Sequence, residues 1–278
     1  MNVRLHGITA PDGVRLHVRD YGNAAGPPLL LLHGWSQSGL CWRHQVDGEL
    51  ARDFRLVCPD LRGHGQSDRP LGAACYQGAA VWARDVAAVM QALALERPLL
   101  VGWSYGSLVA GLYVQEFGDA ALAGLQFVGG ACRVGPAEVG RLLGPVFADV
   151  LPRVTGEDLA ENILGMRRFL DACFVAPLSR EERETALAWN MVVAPQVRNA
   201  LLGWSIDTTA ALGRLTKPLL VSHGRADAVT LPAMAELILA SAPTARASWY
   251  AGVGHAPFLE APARFNAELA AFARELRA

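Results

Sequence analysis

The sequence predicts an α/β fold: a mostly parallel central sheet with helices on both faces and a helical cap insertion. Short runs of branched apolar residues recur with helical stripes between them. One of those runs ends in Gly-X-Ser-X-Gly, and one long central segment lacks strand runs altogether.

The elements follow in order. VRLHGITA (3–10) and VRLHVRDYG (14–22), joined by Pro11-Asp12-Gly13, alternate like two antiparallel strands around a turn. LLLL (29–32) and LVCP (56–59) are continuous apolar runs that stop at polar or glycine-rich loops, as strands buried on both faces do. Trp82, Val86, Val89, Met90 and Leu93 then fall on one helical face. LLVGW (99–103), LQFVG (125–129), LLVSH (219–223) and ASWYA (247–251) alternate with helical patterns, and Phe265, Leu269, Phe272 and Leu276 form a closing stripe. Such alternation argues for parallel strands covered by helices on both faces.

Residues 133–214 break the rhythm and read as helices interrupted at Pro145, Pro152, Pro177 and Pro195. We expect an insertion into one core domain built from 1–132 and 215–278. Its aromatic residues, Phe169, Phe174, Trp189 and Trp204 among them, either face a cavity beneath the insertion or close its own core.

Composition narrows the function classes. With 278 residues, 52% hydrophobic and 18% charged, the chain is long and apolar enough for a sizeable core. Lys+Arg 25 against Asp+Glu 26 leaves a formal charge of -1, so no global field recruits nucleic acid or an anionic membrane. A small neutral partner is expected; the oligomeric state is not fixed by sequence. The five cysteines lack any metal-ligand spacing and read as reduced thiols. No secretory signal is recognisable and no apolar stretch is long enough to span a bilayer, so a cytoplasmic location is expected.

The chemistry centres on Ser104 in LLVGWSYGSLVAG. A buried strand ending in Gly-X-Ser-X-Gly and turning sharply into a helix lifts the serine hydroxyl above the sheet, and Gly102 and Gly106 leave room for that turn. An alcohol at neutral pH needs a base. Asp227 lies just past one strand-like run and His255 in a glycine-bracketed loop, giving the chain order Ser, acid, His. A turn-capping role for Asp227 and a structural role for His255 are the competing readings.

The stretches LLLLHGWSQS, CPDLRGHGQSD, VGWSYGS, SHGRADAV and GVGHAPFLEAP together resemble the α/β-hydrolase superfamily, in its serine-nucleophile esterase and haloperoxidase-like branch. The resemblance implies that Ser104 is the nucleophile, His255 its base and Asp227 the residue orienting the imidazole. It also implies an oxyanion hole from the backbone N–H groups of Trp35 and Tyr105, with no metal or organic cofactor. Trp103, Cys132, Phe169, Trp189 and Trp204 are candidate pocket residues, although Trp103 equally fits behind the elbow and Cys132 an inert thiol. His33 and His64 read as loop-holding residues, and Asp60, Arg62 and Asp68 as a loop-fixing polar set.

A serine at the elbow, rather than a carboxylate, points to attack on the carbonyl of a small apolar ester, thioester or lactone. Carbon-carbon bond hydrolysis and perhydrolase chemistry use the same triad and stay open. Haloperoxidase-like relatives often carry proline where this chain has Ser36. Methyl esterases acting on acyl-carrier substrates present basic residues at the pocket mouth, a part that Arg133, Arg141, Arg153, Arg167 and Arg168 could fill. A small-ligand receptor or a cofactor-free dioxygenase on the same fold are the readings of another class.

Overall fold

A computed structural model describes residues 3–277; the expected core termini at 1 and 278 lie outside them. The two alternating segments form the hairpin β1 (Arg4–Thr9) and β2 (Arg15–Gly22), paired antiparallel. The apolar runs become β3 (Pro28–Leu32), β4 (Arg55–Pro59), β5 (Leu99–Trp103) and β6 (Gly124–Val128). Two short helices, α1 (Arg43–Val46) and α2 (Leu50–Asp53), separate β3 from β4. Helix α3 (Ala79–Ala92) precedes β5, and α4 (Tyr105–Phe117) follows it. The α3 stripe is buried at Trp82, Val86, Val89 and Met90, with Leu93 at the C-cap.

Between β6 and the next sheet strand the chain leaves the core. A ribbon of β7 (Arg133–Val134) and β8 (Ile206–Asp207) pairs antiparallel at the base of this segment. Above it lie α5 (Val146–Thr155), α6 (Leu159–Ala172), α7 (Arg180–Met191) and α8 (Pro195–Leu202). Pro145 and Pro195 mark helix starts and Pro177 lies in the loop between α6 and α7, but Pro152 lies inside α5 and does not end it. Burial of Phe147, Val150 and Val154 on that helix, at about 1.5–3 kcal/mol each, outweighs the roughly 3 kcal/mol an internal proline costs. The chain returns through α9 (Thr209–Leu212), where Thr208 packs so closely that a Cβ on Gly111 would sit 2.8 Å from its Oγ1.

The core resumes with β9 (Leu219–Gly224), α10 (Pro232–Ser241), β10 (Ala245–Tyr250), α11 (Pro257–Glu260) and α12 (Pro262–Glu275). The eight-stranded sheet has the order β1-β2-β4-β3-β5-β6-β9-β10, antiparallel at the β1 and β2 edge and parallel from β4 onward. Both faces are packed. On β5, Leu100 joins Trp82 and Val86, whereas Leu99, Val101 and Trp103 join Phe265 and Phe272. That double burial is why these strands read as unbroken apolar runs. Because β3 sits between β4 and β5, the chain reverses its direction of travel across the sheet there. The carboxyl ends of β3 and β5 therefore lie at a topological switch point, the place where doubly wound sheets bind ligands.

Candidate active site

Ser104 stands between β5 and α4 with φ 52° and ψ −116°, a left-handed backbone that a non-glycine residue adopts at a cost of order 1–3 kcal/mol. Neighbouring groups hold it there. Ser104 N–H donates to Val128 O at 3.0 Å, and Ser107 Oγ donates to Ala131 O at 2.9 Å while accepting from Ala131 N at 2.7 Å. A Cβ on Gly102 would lie 2.5 Å from Ser107 N, and one on Gly106 would lie 2.4 Å from Leu32 O. Both glycines are thus required by close backbone approach. Ser104 itself remains partly exposed among buried neighbours.

Asp227 and His255 come together from different loops, after β9 and after β10. His255 Nδ1 lies 2.8 Å from Asp227 Oδ2, with both side chains buried. The second carboxylate oxygen accepts from Val229 N at 2.8 Å and Thr230 N at 3.0 Å. Asp227 therefore fixes its own turn and contacts the imidazole at once. Thr230 Oγ1 donates to Gly129 O at 2.7 Å and lies 3.0 Å from Asp227 Oδ2. The His255 loop is pinned from three sides: Trp103 Nε1 donates to His255 O at 3.0 Å, His255 N donates to Cys173 O at 2.8 Å, and Gly254 N donates to Glu260 Oε1 at 2.8 Å.

The Ser104 turn and the His255 loop are linked through the residues between them. Trp103 precedes the serine and its ring lies 5.6 Å from the His255 ring. Gly129 follows the acceptor of the Ser104 N–H, and a Cβ there would lie 3.0 Å from His255 Nδ1. No Ser104–His255 hydrogen bond forms among the described residues. Such contacts are often long before substrate binds.

The loop after β3 faces the serine, with a Cβ on Gly34 only 3.3 Å from Ser104 Cβ. The N–H groups of Trp35 and Tyr105 donate to no other group among the described residues. Two buried imidazoles, 4.9 Å apart, anchor this loop. His33 Nε2 accepts from Leu61 N at 2.9 Å and its Nδ1 pairs with Gly34 O at 2.8 Å. His64 Nε2 accepts from Ser36 N at 3.2 Å and its Nδ1 pairs with Arg62 O at 2.9 Å. Both need Nδ1 protonated and Nε2 bare. Burial enforces that neutral state, pulling His33 down to about 4 and His64 to about 3. Ser36 adopts φ 59°; proline, locked at about −65°, cannot. The departure at Ser36 is thus a change of loop conformation. Asp60 closes the far end, accepting from Ser38 Oγ and Gly39 N at 2.8 Å and from Arg19 Nη1 at 3.0 Å. Burial pushes its carboxyl up, but the Arg19 charge and the bonded N–H groups outweigh this and hold it low.

The five residues expected to line a pocket divide. Trp103 is buried behind the elbow, 4.9 Å from the Phe258 ring, and borders a small cavity with Gln37, Leu170 and Trp189. Cys132 is also a packing residue: Sγ lies 3.9 Å from Met234 Sδ, and burial raises its thiol to about 12. The remaining three come from the helical segment onto the loops around the serine. Phe169 meets Trp35 at 5.2 Å and Phe147 at 5.7 Å between ring centroids. Trp189 Nε1 donates to Gln37 Oε1 at 2.8 Å, and the Trp204 indole lies beside the Tyr105 hydroxyl. Four of the five arginines weighed for a basic pocket mouth, all but Arg167, are paired: Arg133 with Asp207, Arg141 with Glu138, Arg153 with Glu161 and Arg168 with Asp149. Their charges are taken up locally. Among the described residues no acidic, histidine and cysteine cluster could hold a metal ion, and no helix is long and apolar enough to cross a membrane.

Sequence reasoning missed Ser107, Thr230 and Glu260. Ser107 and Thr230 also reach Ala131 and Gly129 across the fold, and Glu260 reaches Val175, contacts that no local pattern marks.

Known proteins share this architecture. A family model described as "Alpha/beta hydrolase family" matches residues 29–268. An esterase from Rhodococcus sp. ECU1013 is 36% identical with a TM-score of 0.91, over 99% of this chain and 100% of that one. A putative aryl esterase from Burkholderia cenocepacia is 32% identical with a TM-score of 0.93, over 98% and 99%. A non-heme chloroperoxidase from Streptomyces lividans is 27% identical over 96% of this chain and 99% of its own length.

Proposed function

Since the chain belongs to the alpha/beta hydrolase family, we propose that it is a serine carboxylesterase cleaving small, largely apolar esters through an acyl-enzyme on Ser104. The observation that carries this reading is the buried Asp227–His255 pair, 2.8 Å apart, at the ends of the strands beside the strained Ser104 turn. Relatives named as esterases support the reaction class.

In this mechanism Ser104 Oγ attacks the ester carbonyl carbon while His255 Nε2 takes the hydroxyl proton. Asp227, bonded to Nδ1, holds the tautomer and stabilises the imidazolium. The carbonyl oxygen becomes an oxyanion and accepts from the Trp35 and Tyr105 N–H groups, each contributing roughly 3 kcal/mol in the transition state. The intermediate collapses, the C–O bond breaks, and His255 returns the proton to the departing alcohol. Water then attacks the acyl-enzyme with the same base and frees the acid. Residues 133–214 act as the cap, and the Trp35, Phe147 and Phe169 rings wall the acyl side.

The test is turnover of p-nitrophenyl acetate and butyrate by wild type and Ser104→Ala. We expect the variant to keep its melting temperature and lose turnover by at least about a thousandfold. Undiminished turnover refutes the serine mechanism.

A further inference from the structure

Arg198, on cap helix α8, is fully buried. No carboxylate pairs with it among the described residues; every partner is neutral. Its Nη1 donates to Val154 O at 3.1 Å and to Asn162 Oδ1 at 2.9 Å, and its Nη2 donates to Asn190 O at 2.8 Å. Those acceptors lie on α5, α6 and α7, so one guanidinium knots all four cap helices. The remaining donor leaves the cap: Nε donates to Ser36 Oγ at 3.1 Å. The backbone of the same residue reaches the adjacent position, since Arg198 O accepts from Trp35 Nε1 at 3.3 Å.

Charge buried without a counterion is normally selected against, because it forfeits hydration with no Coulombic return. Burial lowers this guanidinium only to about 10, so it stays cationic near neutral pH. A knot of helices alone needs no bond to the loop after β3. Ser36, moreover, is where that loop is strained, with φ 59°, its N–H on His64 Nε2 and its Oγ donating to Asn190 O at 3.3 Å. Ser36 follows Trp35 directly, so a shift of the Ser36 turn carries the Trp35 backbone with it.

We propose that Arg198 is a positioning residue for the oxyanion hole, locking the Trp35–Ser36 turn to the assembled cap so that the Trp35 N–H is aimed at the developing oxyanion. This rests on the reading of Trp35 as an oxyanion donor. It makes cap integrity a condition of transition-state stabilisation, not only of substrate enclosure.

The test compares Arg198→Lys, Arg198→Met, Ser36→Ala and the Arg198→Lys/Ser36→Ala double variant with p-nitrophenyl butyrate. Activity is counted per folded chain from the unfolding amplitude. A shift in the position of the N–H costs kcat rather than binding, so Ser36→Ala should lower kcat about tenfold or more with KM within about twofold. Affinity for a butylboronic acid, which forms a tetrahedral adduct with the serine, should fall in step with kcat/KM. Arg198→Lys should match this loss, and the double variant should lose no more than the worse single. Arg198→Met orphans several cap carbonyls; if it does not fold, Ser36→Ala decides. Unchanged kcat per folded chain in Ser36→Ala and Arg198→Lys overturns the proposal, as do losses that multiply in the double variant. Full turnover by Ser104→Ala instead removes the mechanism beneath it, a separate and recognisable failure.

Discussion

Acidification should destabilise the protein well above the pH at which carboxylates begin to titrate, and the buried imidazole pair sets the size of the effect. His33 and His64 titrate near 4 and 3 in the folded chain, against about 6.5 when unfolded. Both folded values are depressed, so the unfolded chain takes up protons first. The contribution of the neutral pair is therefore complete above about pH 6.5 and declines as the pH falls toward the folded values. Between those limits two extra protons on the unfolded chain give a slope of about 2.7 kcal/mol per pH unit. From pH 7 to pH 5 the loss is about 2 kcal/mol for each imidazole and about 4 kcal/mol for the pair, a large share of a typical domain's stability. Depressed carboxylates such as Asp60 lose their contribution only below about pH 4, outside this window. Burial lowers His223 as well and adds in the same direction. Urea unfolding at pH 7, 6 and 5 measures the slope, and His64→Gln isolates one imidazole. The variant should be less stable at pH 7 yet lose about 1.4 kcal/mol less per pH unit. A wild-type stability that changes by under about 1 kcal/mol between pH 7 and 5, or a slope unaltered in His64→Gln, refutes the reasoning.

Two further outcomes follow from the geometry. Asp227→Asn should retain the Val229 and Thr230 turn contacts through its carbonyl oxygen but favour the wrong His255 tautomer, lowering kcat by up to about 10⁴-fold while the unfolding midpoint shifts little; steady-state kinetics and thermal denaturation together check this. Gly106→Ala drives a Cβ to 2.4 Å from Leu32 O and 2.8 Å from His33 O, and neither backbone can yield, so a loss of at least about 3 kcal/mol is expected in urea titration.

Much of this protein was legible from its sequence because the relevant physics is local. A continuous apolar run such as LLVGW can only be satisfied as a strand covered on both faces, and β5 is one. The glycines flanking Ser104 are demanded within a few residues by the turn itself, so the elbow could be located before any coordinates. The Asp227–His255 contact was anticipated from the order serine, acid, histidine together with the resemblance carried by SHGRADAV and GVGHAPFLEAP; each residue sits past the carboxyl end of a parallel strand, and those ends converge. Pro152 was misjudged because a local helix-breaking preference gave way to burial along α5. For Trp103 and Cys132 the sequence left pocket and packing roles side by side, because alternate faces of a strand end and a crossover loop look the same in one dimension; both side chains are buried in packing contacts.

The sequence alone determined the order of strands and helices along the chain, the position of the serine turn and which aspartate and histidine to look for beside it. Only the tertiary structure decided how the loop after β3 is held: by the neutral His33 and His64, by Asp60, and by a buried cation 162 residues from the hydroxyl it grips. Periodicity and turn chemistry record what a residue asks of its near neighbours along the chain. The protonation state of an imidazole and the partners of Arg198 depend on which distant segments exclude water from them, and that is settled only when the helices of residues 133–214 pack onto the loops of the sheet.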